Sequence, residues 1–312
     1  DPPPESWLNW RRTRDGWGHS PLDQITRDNV GDLRMVWSWA METGSQQTTP
    51  IVHEGVMFLA SPGNIVQALD AATGDLLWEY RRDFEGGRGR GRPNRNIAIY
   101  ENTIILNTAD ANIVALDLQT GDVVWESNVA DPAKGFFYTG GSLVADGKVY
   151  VGSFNSVFYA LDAATGQAVW RFDGANKWYW GGAIYHEGAI YAPSLDGNVY
   201  AIDSQSGNLM WTMESDGPVI GSPAVVGDRL ASTSMDGRVR LVRLAGGQDE
   251  RPCNIGEDLR ASLTMSGNTI YVAGDGHSIR ALNIKSNGNP DETWVHFTDS
   301  DIPVPLDSTK VC

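Results

Sequence analysis

Arginine is concentrated in one stretch of an otherwise acidic chain. Arg81, Arg82, Arg88, Arg90, Arg92 and Arg95 place six guanidinium groups within fifteen residues, while the chain as a whole carries a formal charge of −15. A guanidinium offers a planar fork of donors matched to carboxylate or phosphate. The stretch therefore reads as an anion-binding loop at Arg88, Arg90 and Arg92, or more plainly as a solvated Gly/Arg-rich loop. Two aromatic runs, Phe136-Phe137-Tyr138 and Trp178-Tyr179-Trp180, have the chemistry to stack on a planar ligand or to anchor a protein partner. Packing between repeats accounts for them equally well. Asp110, Asp196, Asp236 and Asp275 would form a ring of carboxylates if they shared a face. Asp next to Gly or Asn is also ordinary turn chemistry. His53 and His186 stand in matching His-Glu-Gly turns and read as echoes of a repeat, and His19, His277 and His296 are isolated.

What positions these groups is a repeat. Ala68-Leu69-Asp70-Ala71-Ala72-Thr73-Gly74 runs on to Trp78. Asp117 and Gly121 lead to Trp125, Asp162 and Gly166 to Trp170, and Asp203 and Gly207 to Trp211. A weaker copy at Ala281-Leu282-Asn283 reaches Trp294. The tryptophan spacings of 47, 45 and 41 residues, followed by 83, mark supersecondary units with one degenerate copy. Apolar alternation before the Asp predicts a strand. Asp-x-x-Thr-Gly predicts a tight turn, with the carboxylate capping backbone donors and the Gly taking a positive φ. The Trp then opens the returning strand, suited to pack between neighbouring units. Two further short strands upstream give four per unit, the blade of a β-propeller.

The expected fold is thus all-β: a β-propeller of four-stranded antiparallel blades, six recognisable, plus a lone N-terminal strand of a further blade. The blades read as about 47–80, 95–127, 139–173, 181–213, 219–245 and 260–298, within a propeller spanning 36–312. Residues 1–35 form an N-terminal extension packing on it. Val239–Leu244 replaces the Asp-turn-Trp motif in the fifth blade, and Gly246–Asp258 reads as loop. Val36-Trp37-Ser38-Trp39 reads as the fourth strand of a blade whose first three strands are missing upstream. This fits either a fragment of a larger propeller or an irregular closure.

The acidic balance disfavours nucleic acid and anionic membrane as general partners. There is no apolar run long enough to span a bilayer, which leaves membrane attachment only to an anchor outside these residues. Cys253 and Cys312 are compatible with one disulfide and lack metal spacing. Asp1-Pro2-Pro3-Pro4-Glu5 reads as a mature terminus after a removed or anchoring segment.

Ala-x-Asp-x-x-Thr-Gly-x-x-x-Trp resembles the repeat of pyrroloquinoline-quinone (PQQ) dehydrogenases and of their non-enzymatic relatives, among them the BamB-type lipoprotein of outer-membrane assembly. The first 150 residues are more similar to the dehydrogenases. Asn9-Trp10, Ser20–Ile25, Asn29-Val30 and Leu33–Trp37 resemble their mature N-terminus. The resemblance implies that Arg95, in Asn94-Arg95-Asn96-Ile97-Ala98, holds a PQQ carboxylate, with Asn94 beside it. It also implies that Thr139 hydrogen-bonds the cofactor, that Gln47 stands where the family has a Glu, and that Trp180 offers an aromatic platform. From about residue 155 the blades resemble the BamB type.

The departures bear on chemistry. The vicinal cysteine pair of the family is missing. After Val151-Gly152-Ser153 the family carries an insertion with a Glu that binds calcium or a lanthanide, and here the chain continues directly to the next strand. No counterpart stands for the metal-binding Asn or the catalytic Asp. In the family the metal polarises the quinone and a carboxylate removes the alcohol proton. The expectation is therefore a periplasmic or extracellular scaffold with a protein partner on the linker face. A diverged or truncated PQQ-dependent alcohol or sugar dehydrogenase, with PQQ and calcium or lanthanide, is the alternative. A third option is recognition of an anionic polymer through the arginine loop.

Overall fold

The structure, a computed structural model, describes residues 3–8, 12–14, 20–82, 94–130, 141–248, 252–285 and 288–297. Arg88, Arg90, Arg92, Phe136, Phe137, Tyr138, Thr139 and Cys312 lie outside the described residues.

Six four-stranded antiparallel sheets follow one another along the chain, each with its strands in sequence order. The first holds β1 (Ile51–His53), β2 (Val56–Ser61), β3 (Ile65–Asp70) and β4 (Leu76–Arg81). The second holds β5 (Ile97–Tyr100), β6 (Thr103–Asn107), β7 (Asn112–Asp117) and β8 (Val123–Asn128). The third holds β9 (Leu143–Ala145), β10 (Lys148–Gly152), β11 (Phe158–Asp162) and β12 (Ala168–Phe172). The fourth holds β13 (Ile184–His186), β14 (Ala189–Pro193), β15 (Asn198–Asp203) and β16 (Leu209–Glu214). The fifth holds β17 (Ala224–Val226), β18 (Arg229–Thr233), β19 (Arg238–Arg243) and β20 (Cys253–Asn254). The sixth holds β21 (Thr264–Ser266), β22 (Thr269–Ala273), β23 (Ser278–Ile284) and β24 (Pro290–Phe297). A 3₁₀ turn at Val30–Asp32 is the one helical element among the described residues. By contact density the chain divides into two compact units. The first is built on blades one and two and the second on blades four to six, with the strands of blade three divided between them.

The repeat explains the blade edge atom by atom. Asp70 Oδ1 accepts from the backbone N–H groups of Ala72 at 2.9 Å and Thr73 at 2.8 Å. Gly74, at φ +78°, returns its N–H to the Asp70 carbonyl. The backbone donors of Thr73 and Ala72 hold the Asp70 carboxyl below its usual range. The same turn recurs at Asp117, Asp162 and Asp203. Within the sheet, Trp78 pairs with Ala68, and Leu69 pairs with Leu76, so Leu77 is bulged out. The bulge falls at the same place at Ala115, Ala201 and Ala281. In blades one, two and four it accompanies an indole turned toward the next blade.

Each indole then meets the turn glycine of the following blade. Trp78 Nε1 donates to the Leu118 carbonyl at 3.1 Å and its ring covers Gly121. Trp125 does the same with Ala163 and Gly166, Trp170 with Ser204 and Gly207, and Trp211 with Leu244 and Gly247. The fifth blade corrects the sequence reading in two ways. Its turn keeps the motif's geometry without the motif's Asp, because Gly247 takes φ +68° and bonds back to the Arg243 carbonyl. The stretch read as loop also contributes β20, whose Cys253 is buried and disulfide-bonded.

Between blades one and two, Ile51, Phe58, Val66 and Ala68 pack with Ile99, Ile104, Leu106 and Leu116. The N-terminal residues join this core. Trp7 exchanges backbone hydrogen bonds with Val52, the Leu8 carbonyl accepts from Ile99 N–H, and Leu8 packs on the cluster.

Candidate functional site

The linkers that enter β1, β5 and β9 lie side by side in the first unit. Thr49 N–H donates to the Arg95 carbonyl at 3.3 Å. Asn94 is buried, and its Nδ2 donates to the Asn107 carbonyl at 3.3 Å. Ser142 Oγ donates to Asn107 Oδ1 at 2.6 Å. Gly141 lies so close to Asn96 that a Cβ there would fall 2.3 Å from the Asn96 Cβ. The structure thus brings Thr48-Thr49, Asn94-Arg95-Asn96 and Gly141-Ser142 into one cluster.

Arg95 is the cation of this cluster. Burial alone pulls its guanidinium pKa below the usual arginine range. On the linker that bonds to it, Thr48 buries its hydroxyl oxygen, which has no hydrogen-bond partner among the described residues. Sequence reasoning passed over Thr48, although its place in Gln47-Thr48-Thr49-Pro50 was a signal. Gln47 is exposed, and its amide donates to Ser45 Oγ at 3.2 Å, so it does not join the cluster through that bond.

Trp180 belongs to the second unit. Its ring stacks on Phe154 at 5.5 Å and 14°, and Trp178 stacks on the same Phe154 at 4.8 Å and 7°. Trp178 is 47% exposed. Tyr179 points the other way, buried against Gly152 and Phe158. Burial first, then Tyr200, Asp196 and Asp173, push its phenol far above the ordinary range. Its hydroxyl has no hydrogen-bond partner among the described residues.

The turn carboxylates are committed to structure. Asp110 accepts from Arg82 Nε at 3.0 Å and from Asn112 Nδ2 at 3.1 Å. Asp196 accepts from the Tyr200 hydroxyl at 2.8 Å and from the backbone of Asn176 and Asn198. Asp275 pairs with Arg260 at 2.6 Å. Asp236 is paired with Arg240 and accepts from Ser234 and from the Arg238 backbone. Burial would raise the Asp236 carboxyl, but the Arg240 and Ser234 hydrogen bonds outweigh it and hold the group at about 2. Two arginines of the basic stretch are also committed: Arg81 to Glu42 and Glu79, and Arg82 to Asp110 and Glu126. Among the described residues no cluster of three or more His, Cys, Asp or Glu side chains is placed to hold a metal ion.

Comparison with known proteins divides the chain in two. Residues 7–126 match the family model of the glucose/ethanol/alcohol dehydrogenase β-propeller domain, and residues 154–286 match that of the outer membrane protein assembly factor BamB. The chain is a PQQ-repeat β-propeller. The dehydrogenase subunit of a quinone-dependent alcohol dehydrogenase from Gluconacetobacter polyoxogenes is 35% identical over 171 residues, which is 54% of this chain and 18% of that relative. Among solved structures, the quinohemoprotein alcohol dehydrogenase ADHIIG of Pseudomonas putida aligns over 90% of this chain and 58% of its own, with TM-score 0.74 and 20% identity. BamB from Moraxella catarrhalis aligns over 80% of this chain and 72% of its own, with TM-score 0.64 and 18% identity. This PQQ-repeat propeller thus spans less than a fifth of the length of the quinone-dependent dehydrogenase subunit it matches.

The residues present fit one half of the family's cofactor. A half-buried guanidinium at Arg95, on a linker bonded through its backbone to the Thr48-Thr49 linker, suits a carboxylate of PQQ. The metal half has no donor set among the described residues.

Proposed function

We propose that this PQQ-repeat propeller is a non-catalytic binding protein of the periplasm or cell exterior, engaging a protein partner on its linker face. One observation carries the reading. Asp110, Asp196, Asp236 and Asp275, the turn carboxylates that the sequence allowed to form a ring, are each bound into turn-closing hydrogen bonds or arginine pairs. A carboxylate so engaged is a poor base and a poor ligand. Trp178, half exposed and braced by Phe154, supplies a rigid aromatic anchor of the kind that dominates protein interfaces. The likeness to BamB over residues 154–286 supports the same reading.

The test is dye-linked oxidation of a broad panel of primary alcohols and sugars, with PQQ and either calcium or lanthanum added. The proposal expects no metal-dependent turnover. Turnover that requires both quinone and metal would overturn it.

A second reading rests on Arg95 and on the 35% identity to a quinone-dependent dehydrogenase subunit. There Arg95 would hold a PQQ carboxylate, with Asn94 and Thr48 on the adjoining linkers as further polar groups. Bound PQQ would supply the two-electron acceptor chemistry, while Arg95, Thr48 and Asn94 bind and orient.

A further inference from the structure

The first and third blades carry an aromatic ring at the same place on their second strands. Phe58 on β2 lies 6.0 Å from Trp78 at 42°, and Tyr150 on β10 lies 5.8 Å from Trp170 at 44°. Both rings are almost wholly buried. The geometries match, and the two side chains differ by one hydroxyl. The Tyr150 hydroxyl donates to the Ser204 carbonyl at 3.2 Å, and Trp170 Nε1 donates to that same carbonyl at 3.1 Å. At the junction of blades one and two, Leu118 stands where Ser204 does. Among the described residues its carbonyl accepts from Trp78 Nε1 alone, at 3.1 Å. A carbonyl oxygen has two lone pairs, and Phe58 brings no donor for the second.

Space accompanies the missing donor. A cavity of about 360 Å³ opens between blades one and two, walled by Val56, Phe58, Trp78 and Leu118, with His53 and Glu54 among its polar residues. Residues two apart on a strand share a face, so Val56 and Phe58 shape the cavity together. Their equivalents in blade three are Lys148 and Tyr150, both longer. Blade one is thus shorter at both positions, and the volume left is that of a small-ligand site.

The lining defines the ligand. Two aromatic rings and two aliphatic side chains favour a flat apolar body. Among the described residues no lysine or arginine lines the cavity, while the Glu54 carboxylate does, which disfavours an anion. The open acceptor on Leu118 calls for one donor on that body.

We propose that this cavity is a binding site for an uncharged phenol. The phenol hydroxyl donates to the Leu118 carbonyl, in the place that the Tyr150 hydroxyl takes on Ser204, and its ring lies against Trp78 and Val56. The site depends neither on quinone nor on a protein partner.

The experiment uses the full chain and three probes of similar shape: 4-fluorophenol, 4-fluoroanisole and 4-fluorobenzylammonium. Fluorine NMR reads binding, and the Trp78 indole N–H resonance reads its place. The expected result is binding of the phenol about threefold or more tighter than of the anisole, which has no proton to give, and than of the ammonium, with the Trp78 N–H shifted. Two variants copy blade three. Phe58→Tyr supplies the hydroxyl from within, and Val56→Lys restores the longer side chain at a partly exposed position. Each should weaken phenol binding by about tenfold or more, and either one that folds decides the matter. Four results would overturn the proposal: anisole bound as tightly as phenol (a plain apolar void), ammonium bound more tightly (a cation site drawn by Glu54), phenol binding unchanged in a folded variant, or no binding of any probe at millimolar concentration.

Discussion

Arg229 lies flat against Gly288. A Cβ built on Gly288 would fall 2.2 Å from Arg229 Cζ, and the arginine is almost wholly buried. The contact repeats the one between Trp78 and Gly121, at the one junction where the preceding blade ends in Cys253-Asn254 and brings no tryptophan. A guanidinium is planar and stacks as an aromatic does, so it replaces the indole as the wedge between blades five and six. Arg229→Ala is expected to cost about 2–4 kcal/mol of stability, in the range of a large buried truncation, measured by urea unfolding. Arg229→Lys should recover little of it, because the planar fork is lost.

The tryptophan wedges themselves leave no room for a side chain beneath them. Gly121 takes φ +77°, and a Cβ there would lie 2.6 Å from Trp78 Cε3. Gly121→Ala should destabilise by about 2–3 kcal/mol from overpacking and backbone strain together. In the Trp78→Ala background the same change should cost measurably less, since the two residues share one contact. Additive losses would show that the pair does not act as a wedge.

This much of the fold was legible from the sequence, because period, turn chemistry and tryptophan position all specify the same structure. Asp70, Gly74 and Trp78 each have a local reason to be what they are, and the blade follows. The fifth blade was legible only in part, because Arg243 and Gly247 keep the turn's geometry without its Asp, and Arg229 does a tryptophan's work from a different strand. The candidate site was harder to read. Arg95 and Asn94 could be named from neighbouring residues, but the Thr48-Thr49 linker joins them through a backbone bond from Thr49 to Arg95 that no local pattern announces. The turn aspartates showed the reverse difficulty. Their spacing allowed a carboxylate ring, and only their partners in the fold, arginines for Asp110, Asp236 and Asp275 and Tyr200 for Asp196, show each one to be engaged.

Asp236 gives the fold an acid-labile point. Its folded pKa of about 2 lies below the ordinary value of 3.8, so its contribution is present above pH 4 and is lost as pH falls from about 4 toward 2. The shift corresponds to about 2 kcal/mol. Asp236→Asn should lower stability at pH 7 by roughly that amount and flatten the acid limb of a pH–stability curve. An unchanged acid limb would place the titration elsewhere.

The central claim is that the propeller fold of the quinone-dependent dehydrogenases is present here without their metal-assisted chemistry. Titration with PQQ, followed by tryptophan fluorescence with and without millimolar calcium or lanthanum, tests it most directly. The account predicts no saturable quenching that either metal strengthens, in the wild-type chain and in Arg95→Ala alike. Saturable quenching that tightens with metal and disappears in Arg95→Ala would contradict it and assign this propeller to the dehydrogenases in function as well as in fold.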